Sequence, residues 1–357
     1  MQAYRFFVLF AVLAAVLFPR VATAAACEES FGEAWRQTDL TSISAQIADS
    51  GAPAEMVAHL CLRAALFLDS GRPGSALADY DHALQLSSMD AAAQAGKVRA
   101  LISLGAFGTA LSEFQHIPDA ASNTWTVLAD RCMLAFDLTR NNNPTEACDK
   151  LVDAYPKKAM SFNMRGFARQ KNGDLDAAEK DYKQALTLDP SLIVAQLNLA
   201  NLAYQMQDPA TASRLYNTIL ESDAGAPQDK IYAAVWLHII ERNLNDANKK
   251  QLLEAAARGQ NNQRWPGPIL AFFMGQLSED ELTQLANSAP DTNRGSVCEL
   301  FFYTGMAARS KGDVEGARSR LQKAQRLCNP LFIESIAANY VLAKATPPRA
   351  TDSSPPK

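Results

Sequence analysis

Histidine is scarce in this sequence of 357 residues, and the common catalytic motifs are missing from it. Its four histidines form no H-E-x-x-H or other metal-ligand spacing, so neither a metal site nor zinc hydrolysis is predicted; they are His59, His82, His116 and His238. The chain also lacks a G-x-S-x-G nucleophile elbow, a Walker A loop and a G-x-G-x-x-G fingerprint. We therefore predict a protein that is not an enzyme and needs no cofactor.

Long apolar runs are rare, and the longest lies at the start of the chain. Phe6 to Phe18 is unbroken and apolar, follows the positive charge of Arg5, and is shorter than the roughly 20 residues that span a bilayer. Ala22-Thr23-Ala24 fits the A-x-A cleavage rule. Residues 1–24 are thus predicted to be a signal peptide rather than a retained anchor, and the mature protein is expected to be periplasmic or secreted.

A basic stripe is also lacking, which argues against nucleic-acid binding. The formal net charge is −4, and removing Arg5 and Arg20 with the signal peptide makes it −6. Lysine and arginine are scattered among acids, so the main attraction for a phosphate backbone is absent.

Cysteine occurs six times, an even number that predicts three disulfides in an oxidising compartment. An alternative concerns Cys27, which directly follows Ala24-Ala25-Ala26 and fits the lipidated first residue of a bacterial lipoprotein. Ala24 stands where such signals usually carry leucine, and lipidation of Cys27 would make the remaining cysteine count odd. The soluble form is preferred, with a lipid anchor in the envelope as the alternative.

A repeat of about 34 residues organises the rest of the chain. Its clearest copy, from Phe162 to Pro190, carries small residues at fixed positions, a Gly-Asp turn, an aromatic residue and a closing Asp-Pro; these are Gly166, Gly173-Asp174, Ala178, Tyr182 and Asp189-Pro190. The small residues Ala76 and Ala110 are 34 positions apart, as are Ala178 and Ala212. The pattern resembles the tetratricopeptide repeat (TPR), with six recognisable copies.

The resemblance implies an all-α fold in which helix hairpins stack into a right-handed superhelix, an α-solenoid. A cap helix and the first TPR units are expected over residues 25–120, central units over 121–225, and a C-terminal helical region with a last unit and a closing helix over 226–345. The tail 346–357 is rich in proline and serine and is expected to be disordered.

Residues 160–345 also look like the carboxyl half of the NlpI-type TPR lipoproteins. The similarity is carried by Tyr232 to Arg242, Trp265-Pro266, Phe272 to Leu282 and Leu300 to Gly305. It implies a bacterial envelope scaffold that dimerises and brings a protease together with peptidoglycan hydrolases. A soluble periplasmic protein that binds peptides or glycan fragments is the alternative, and a hydrolase is the third.

In TPR arrays the first helix of each unit supplies most ligand-facing side chains. The corresponding positions predict a partner-binding groove for an extended peptide or a helix, formed by Asn163, Phe167, Gln170, Lys171, Asn198, Asn201 and Tyr204. The alternative is that several of them pack the superhelix. Carboxylate pairs such as Glu179 with Asp181 and Glu279 with Glu281 are expected on solvated faces, where they are unsuited to acid-base catalysis.

The register of the helix hairpins predicts which cysteines form disulfides. Cys298 and Cys328 fall at the two ends of one hairpin that come back together, Cys132 and Cys148 lie about a turn, and Cys27 is left with Cys61. The alternative is that the cysteines are small buried residues that form no disulfides.

A homodimer is expected through the apolar residues Leu270, Phe272 and Phe273. The alternative is that these residues fill the core.

Overall fold

A computed structural model describes residues 39–117, 122–135, 144–223, 226–240, 246–258, 265–289, 295–328 and 332–345. The signal peptide, Cys27, the first part of the predicted cap and the tail 346–357 lie outside the described residues. The described part contains eighteen α-helices: α1 (Leu40–Asp49), α2 (Pro53–Asp69), α3 (Pro73–Leu86), α4 (Ala91–Ser103), α5 (Phe107–Phe114), α6 (Trp125–Ala135), α7 (Pro144–Ala154), α8 (Ala159–Asn172), α9 (Leu175–Leu188), α10 (Ile193–Gln205), α11 (Pro209–Glu221), α12 (Pro227–Ile240), α13 (Asp246–Ala257), α14 (Gly267–Phe273), α15 (Glu279–Ser288), α16 (Gly295–Ser310), α17 (Val314–Leu327) and α18 (Ile333–Ala345).

The helices form hairpins that stack in chain order. Each predicted unit is one hairpin, namely α2 with α3, α4 with α5, α6 with α7, α8 with α9, α10 with α11 and α16 with α17. The second helix of a hairpin packs on the first helix of the next, as α9 does on α10. Contacts between sequence neighbours of this kind define a solenoid. The predicted all-α TPR fold is confirmed.

Small residues set the helix spacing inside a hairpin. A Cβ atom added at Gly166 of α8 would lie 2.9 Å from the ring of Tyr182 on α9, and one added at Gly305 of α16 would lie 3.0 Å from Leu321 on α17. Both distances are too short for ordinary packing, so a larger residue would push the two helices apart. The repeat therefore needs glycine where the sequence places it.

The turns between paired helices are set by glycine and aspartate. Gly173 has a φ of 87°, a left-handed conformation that glycine adopts without steric cost. The next residue, Asp174, caps α9 by accepting a hydrogen bond from the backbone N–H of Ala177 at 3.3 Å. A capping box starts α15, where Ser278 and Glu281 bond reciprocally to each other's backbone N–H groups.

Two disulfides close two of the hairpins. Cys132 on α6 is bonded to Cys148 on α7 with Cα atoms 4.7 Å apart, and Cys298 on α16 is bonded to Cys328, just after α17, with Cα atoms 4.8 Å apart. These are the pairs that the hairpin register predicts. Cys61 is buried on α2, but Cys27 is outside the described residues, so their pairing stays a prediction.

The C-terminal half is packed around aromatic side chains. Trp236 of α12 stacks on Tyr216 of α11 with ring centroids 6.3 Å apart and contacts Phe302 of α16 at 5.5 Å. Leu270 is fully buried, and Phe272 and Phe273 pack partly buried in the same region. Of the two interpretations of this apolar segment, the structure shows the one in which it fills the core.

No helix among the described residues combines the length and the apolar character needed to cross a membrane.

Candidate functional site: the inner face of the repeat array

The predicted groove residues lie on α8 and α10, the first helices of consecutive hairpins, and the two sets are in direct contact. Asn198 Nδ2 donates a hydrogen bond to Asn163 Oδ1 at 3.0 Å. One turn or more further along, Gln170 Nε2 donates to Gln205 Oε1 at 3.1 Å. The structure therefore brings both helices into one polar strip, which we call the inner face.

Most of the inner face is buried. Asn163 is 0% exposed and Phe167 1%, and Gln170, Asn198 and Asn201 are also buried, while Lys171 and Tyr204 are half-buried. Phe167 belongs to an apolar core cluster with Met164 and Val194. In this conformation Phe167 thus packs the superhelix, which is the alternative interpretation for this position, and only Lys171 and Tyr204 keep appreciable accessible surface.

Hydrogen bonds fix the orientation of the buried amides, with one exception. The Tyr182 hydroxyl donates to Gln170 Oε1 at 2.7 Å, and burial raises the pKa of this tyrosine well above 10. Asn201 Nδ2 donates to the carbonyl of Leu197 at 3.0 Å. Its Oδ1, however, has no hydrogen-bond partner among the described residues although the residue is only 6% exposed. A buried acceptor without a donor costs about 1–3 kcal/mol.

The last helix, α18, returns over the α10 side of the inner face. Helix α18 packs on α16 and α17 and also on α10, far earlier in the chain. Tyr340 of α18 meets Tyr204 of α10 edge-on with ring centroids 6.1 Å apart, and Ile336 joins the apolar cluster that contains Val194 and Leu199. Arg309 of α16 donates to the Tyr204 hydroxyl at 3.4 Å. The closing helix was predicted from the sequence, but its position over α10 was not.

A cluster of buried acids and aromatic donors lies where α16 meets α18 on one side and Tyr232 of α12 on the other. Glu334 of α18 is 2% exposed and accepts a hydrogen bond from the Tyr303 hydroxyl at 2.9 Å. Glu299 of α16 is 1% exposed and accepts from the Tyr232 hydroxyl at 2.9 Å and from Trp265 Nε1 at 2.9 Å.

This acidic cluster was not predicted, and burial dominates its electrostatics. Desolvation raises the pKa of Glu334 to about 6, although the hydrogen bond from Tyr303 opposes the rise. Burial and the nearby acids raise the pKa of Tyr303 well above 10. One feature of the sequence could have indicated this cluster: Glu334 is the one acidic residue in the apolar stretch that forms α18.

The carboxylate pairs singled out in the sequence are engaged in structural contacts. Asp181 was expected on a solvated face, but it is 3% exposed and is bonded by Arg165 at 2.8 Å and Arg169 at 2.7 Å. Glu279 pairs with Arg320 at 2.8 Å, and Glu281 completes the capping box of α15. Arg63 and Asp79 repeat the Arg165–Asp181 pair at the same separation of 16 residues, so Asp181 is a repeat-stabilising residue.

The histidines and acids of the described residues form no group of three or more that is placed to hold a metal ion. His59 shares a hydrogen bond with Ser50 at 3.0 Å, His238 lies edge-on to Phe273, and His116 is 3.5 Å from Glu113.

Comparison with known proteins points to the same repeat. The family model described as tetratricopeptide repeat matches residues 170–234, from the end of α8 into α12. The fold is that of TPR proteins. Among solved structures, the human IFIT1 dimer with PPP-AAAA is 13% identical, with 85% of this chain and 72% of that chain covered and a TM-score of 0.50.

Two bacterial proteins are similar at comparable identity. A TPR protein from Parabacteroides merdae is 16% identical over 81% of this chain and 98% of that one, with a TM-score of 0.44. A thermophilic TPR protein from Thermus thermophilus is 18% identical over 50% of this chain and 97% of that one, also with a TM-score of 0.44. At such identities the similarity concerns the fold alone. The closer resemblance to the NlpI type stays a prediction.

Proposed function

We propose that this protein is a non-enzymatic scaffold that acts outside the cytoplasm and binds protein partners through its inner face. TPR proteins typically bind proteins or peptides. The observation that carries the proposal for this chain is the inner face itself, where α8 and α10 bring amide and aromatic side chains of two units into one strip. Within this strip Lys171 and Tyr204 keep accessible surface, so they offer a charged hydrogen-bond donor and an aromatic ring to a partner.

Two further observations support export. The chain begins with a predicted signal peptide, and two hairpins carry disulfides, which persist in oxidising compartments. The mass of the protein purified from cells tests this part. Loss of residues 1–24 is expected, a diacylated Cys27 would show the lipid-anchored alternative, and an intact Met1 would contradict export.

The resemblance to NlpI-type lipoproteins suggests which partners to look for, namely an envelope protease or a peptidoglycan-remodelling enzyme. The test is affinity capture from an envelope extract followed by mass spectrometry, with Lys171→Glu as the inner-face variant. Lys183→Glu is the matched control, because Lys183 is an exposed lysine on the outer helix α9. We expect Lys171→Glu alone to lose the partner.

Two outcomes would count against the scaffold. Equal capture by both lysine variants would move binding away from the inner face, and capture of only small peptides or muropeptides would favour the alternative function as a soluble binding protein.

A homodimer remains part of the proposal through the NlpI-type resemblance alone, since Leu270, Phe272 and Phe273 pack into the core. Light scattering at micromolar concentration is expected to give twice the monomer mass. A strictly monomeric mass would contradict the dimer without affecting the scaffold.

A further inference from the structure

Helix α18 lies against α10 of the inner face with one of its sides. Ile333, Ile336, Ala337 and Tyr340 are spaced at i, i+3, i+4 and i+7 and so share one face of the helix, the spacing by which a helix is anchored in an apolar groove. Ile336 and Ala337 are buried, and Tyr340 rests against Tyr204 of α10. This contact joins the last described helix to a helix from the middle of the sequence. Ala338 and Val341, on other sides of α18, are buried as well.

With α18 packed on α10, several buried polar atoms lack a hydrogen-bond partner among the described residues. Glu334 uses Oε1 to accept from Tyr303, but its Oε2 has no hydrogen-bond partner among the described residues. In the same described part of the chain, the Tyr216 hydroxyl and Asn201 Oδ1 also have none. All three residues are at least nine-tenths buried. Glu334 lies on α18 itself, so release of the helix would let water solvate its unpaired oxygen, which lowers the free energy required for release.

We propose that the inner face is a binding groove for an amphipathic helix of a partner protein, and that α18 is a built-in competitor that must leave before the partner binds. This inference rests on the proposed scaffold function and names its partner class and its regulation. The partner helix carries apolar residues at i, i+3, i+4 and i+7 and a hydrogen-bond acceptor at i+1, where α18 has Glu334.

The competitor responds to pH through Glu334. The groups that face it are Tyr303 and Glu299 of α16, Tyr216 of α11 and Tyr232 of α12, and burial is the main cause that raises the pKa of Glu334 to about 6. A raised pKa means that docking is most stable below the ordinary glutamate value and loses stability as the pH rises through about 6. Docking is therefore expected to weaken about tenfold between pH 5 and pH 8.

A labelled peptide tests the groove and the competitor together. The probe is a fluorescein-labelled peptide of residues 332–345 that carries Glu334→Gln, so that its own affinity does not change with pH. Fluorescence anisotropy measures its binding to the full mature chain. We expect an apparent Kd about tenfold lower at pH 8 than at pH 5, because a smaller fraction of the grooves is closed.

Three chain variants complete the experiment. Glu334→Gln in the chain should abolish the pH difference and give at pH 8 the weaker binding that the unchanged chain shows at pH 5. Ile336→Asp should loosen α18 and tighten peptide binding at both pH values. Glu315→Gln, at an exposed position on α17, is the matched control and should behave as the unchanged chain.

An unaltered pH difference in the Glu334→Gln chain overturns the proposal, as does failure of the peptide to bind an Ile336→Asp chain of unchanged helicity. If Ile336→Asp does not fold, hydrogen exchange of the unchanged chain decides. After correction for intrinsic rates, the α18 amides must lose protection relative to those of α9 between pH 5 and pH 8, and constant protection overturns the proposal. The peptide assay uses no cell extract, so its failure is distinct from failure to capture a partner.

Discussion

The disulfide between Cys298 and Cys328 should dominate the local stability of the last hairpin. The bond joins residues 30 positions apart. In the chain-entropy estimate, a loop of this length stabilises the closed hairpin by about 3.6 kcal/mol, and the 16-residue loop between Cys132 and Cys148 by about 3.1 kcal/mol. Replacing both Cys298 and Cys328 by alanine should therefore lower the opening free energy of α16 and α17 by about 3.6 kcal/mol.

Hydrogen exchange followed by mass spectrometry is the suitable assay, because each hairpin of a repeat array opens with its own free energy. Protection of α16 and α17 amides should fall about 400-fold in the double variant, while protection of α8 and α9 should change little. Undiminished protection of α16 and α17 would refute the loop-closure reasoning. An equal loss in all hairpins would instead show that the array unfolds as one unit.

Three other changes test the packing. Phe167→Ala should cost about 3–5 kcal/mol in urea unfolding, and a loss below about 1 kcal/mol would show that Phe167 is not a core residue. Gly166→Ala should destabilise the protein by about 1–3 kcal/mol, because the added methyl group clashes with Tyr182. The control Gly108→Ala, in open space on α5, should stabilise it by about 0.5–1 kcal/mol. Equal effects of the two changes would contradict the role of Gly166. Burial raises the pKa of Asp229 to about 6, so the stability that this carboxyl contributes is lost as the pH rises through 6. Asp229→Asn should therefore raise the free energy of unfolding at pH 7 but not at pH 4. A lower free energy of unfolding at pH 7 would contradict this pH dependence.

The helix hairpins were predictable from the sequence because the residues that define each hairpin lie within one repeat. Gly166 must be small to accommodate Tyr182, and Gly173-Asp174 ends one helix and caps the next. Those requirements recur every 34 residues or so and fix the hairpins. The hairpin register in turn predicts the partner of Cys298, since the two ends of an antiparallel hairpin lie together.

Accessibility of the inner face was not predictable in the same way. Positions on α8 and α10 identify side chains such as Asn163 and Asn198 that face each other, but Tyr204 is covered by α18, which meets α10 across a long stretch of sequence. No local pattern encodes such a contact. The apolar character of α18 on several sides predicts only that it is buried.

The electrostatic contacts were predictable from the sequence only in part. The separation of 16 residues between Arg165 and Asp181, repeated by Arg63 and Asp79, was a usable signal for ion pairs that join the two helices of one hairpin. Glu334 has no such repeated partner, and its contact with Tyr303 depends on where α18 docks.

The central claim is that partners bind on the inner face, and a hydrogen-exchange footprint of the captured complex tests it most directly. Partner binding is expected to change the protection of α8, α10 and α18, the last becoming less protected as it leaves the groove, while the outer helices α9 and α11 stay as in the free chain. A footprint confined to α9 and α11, with α18 unchanged, would contradict it.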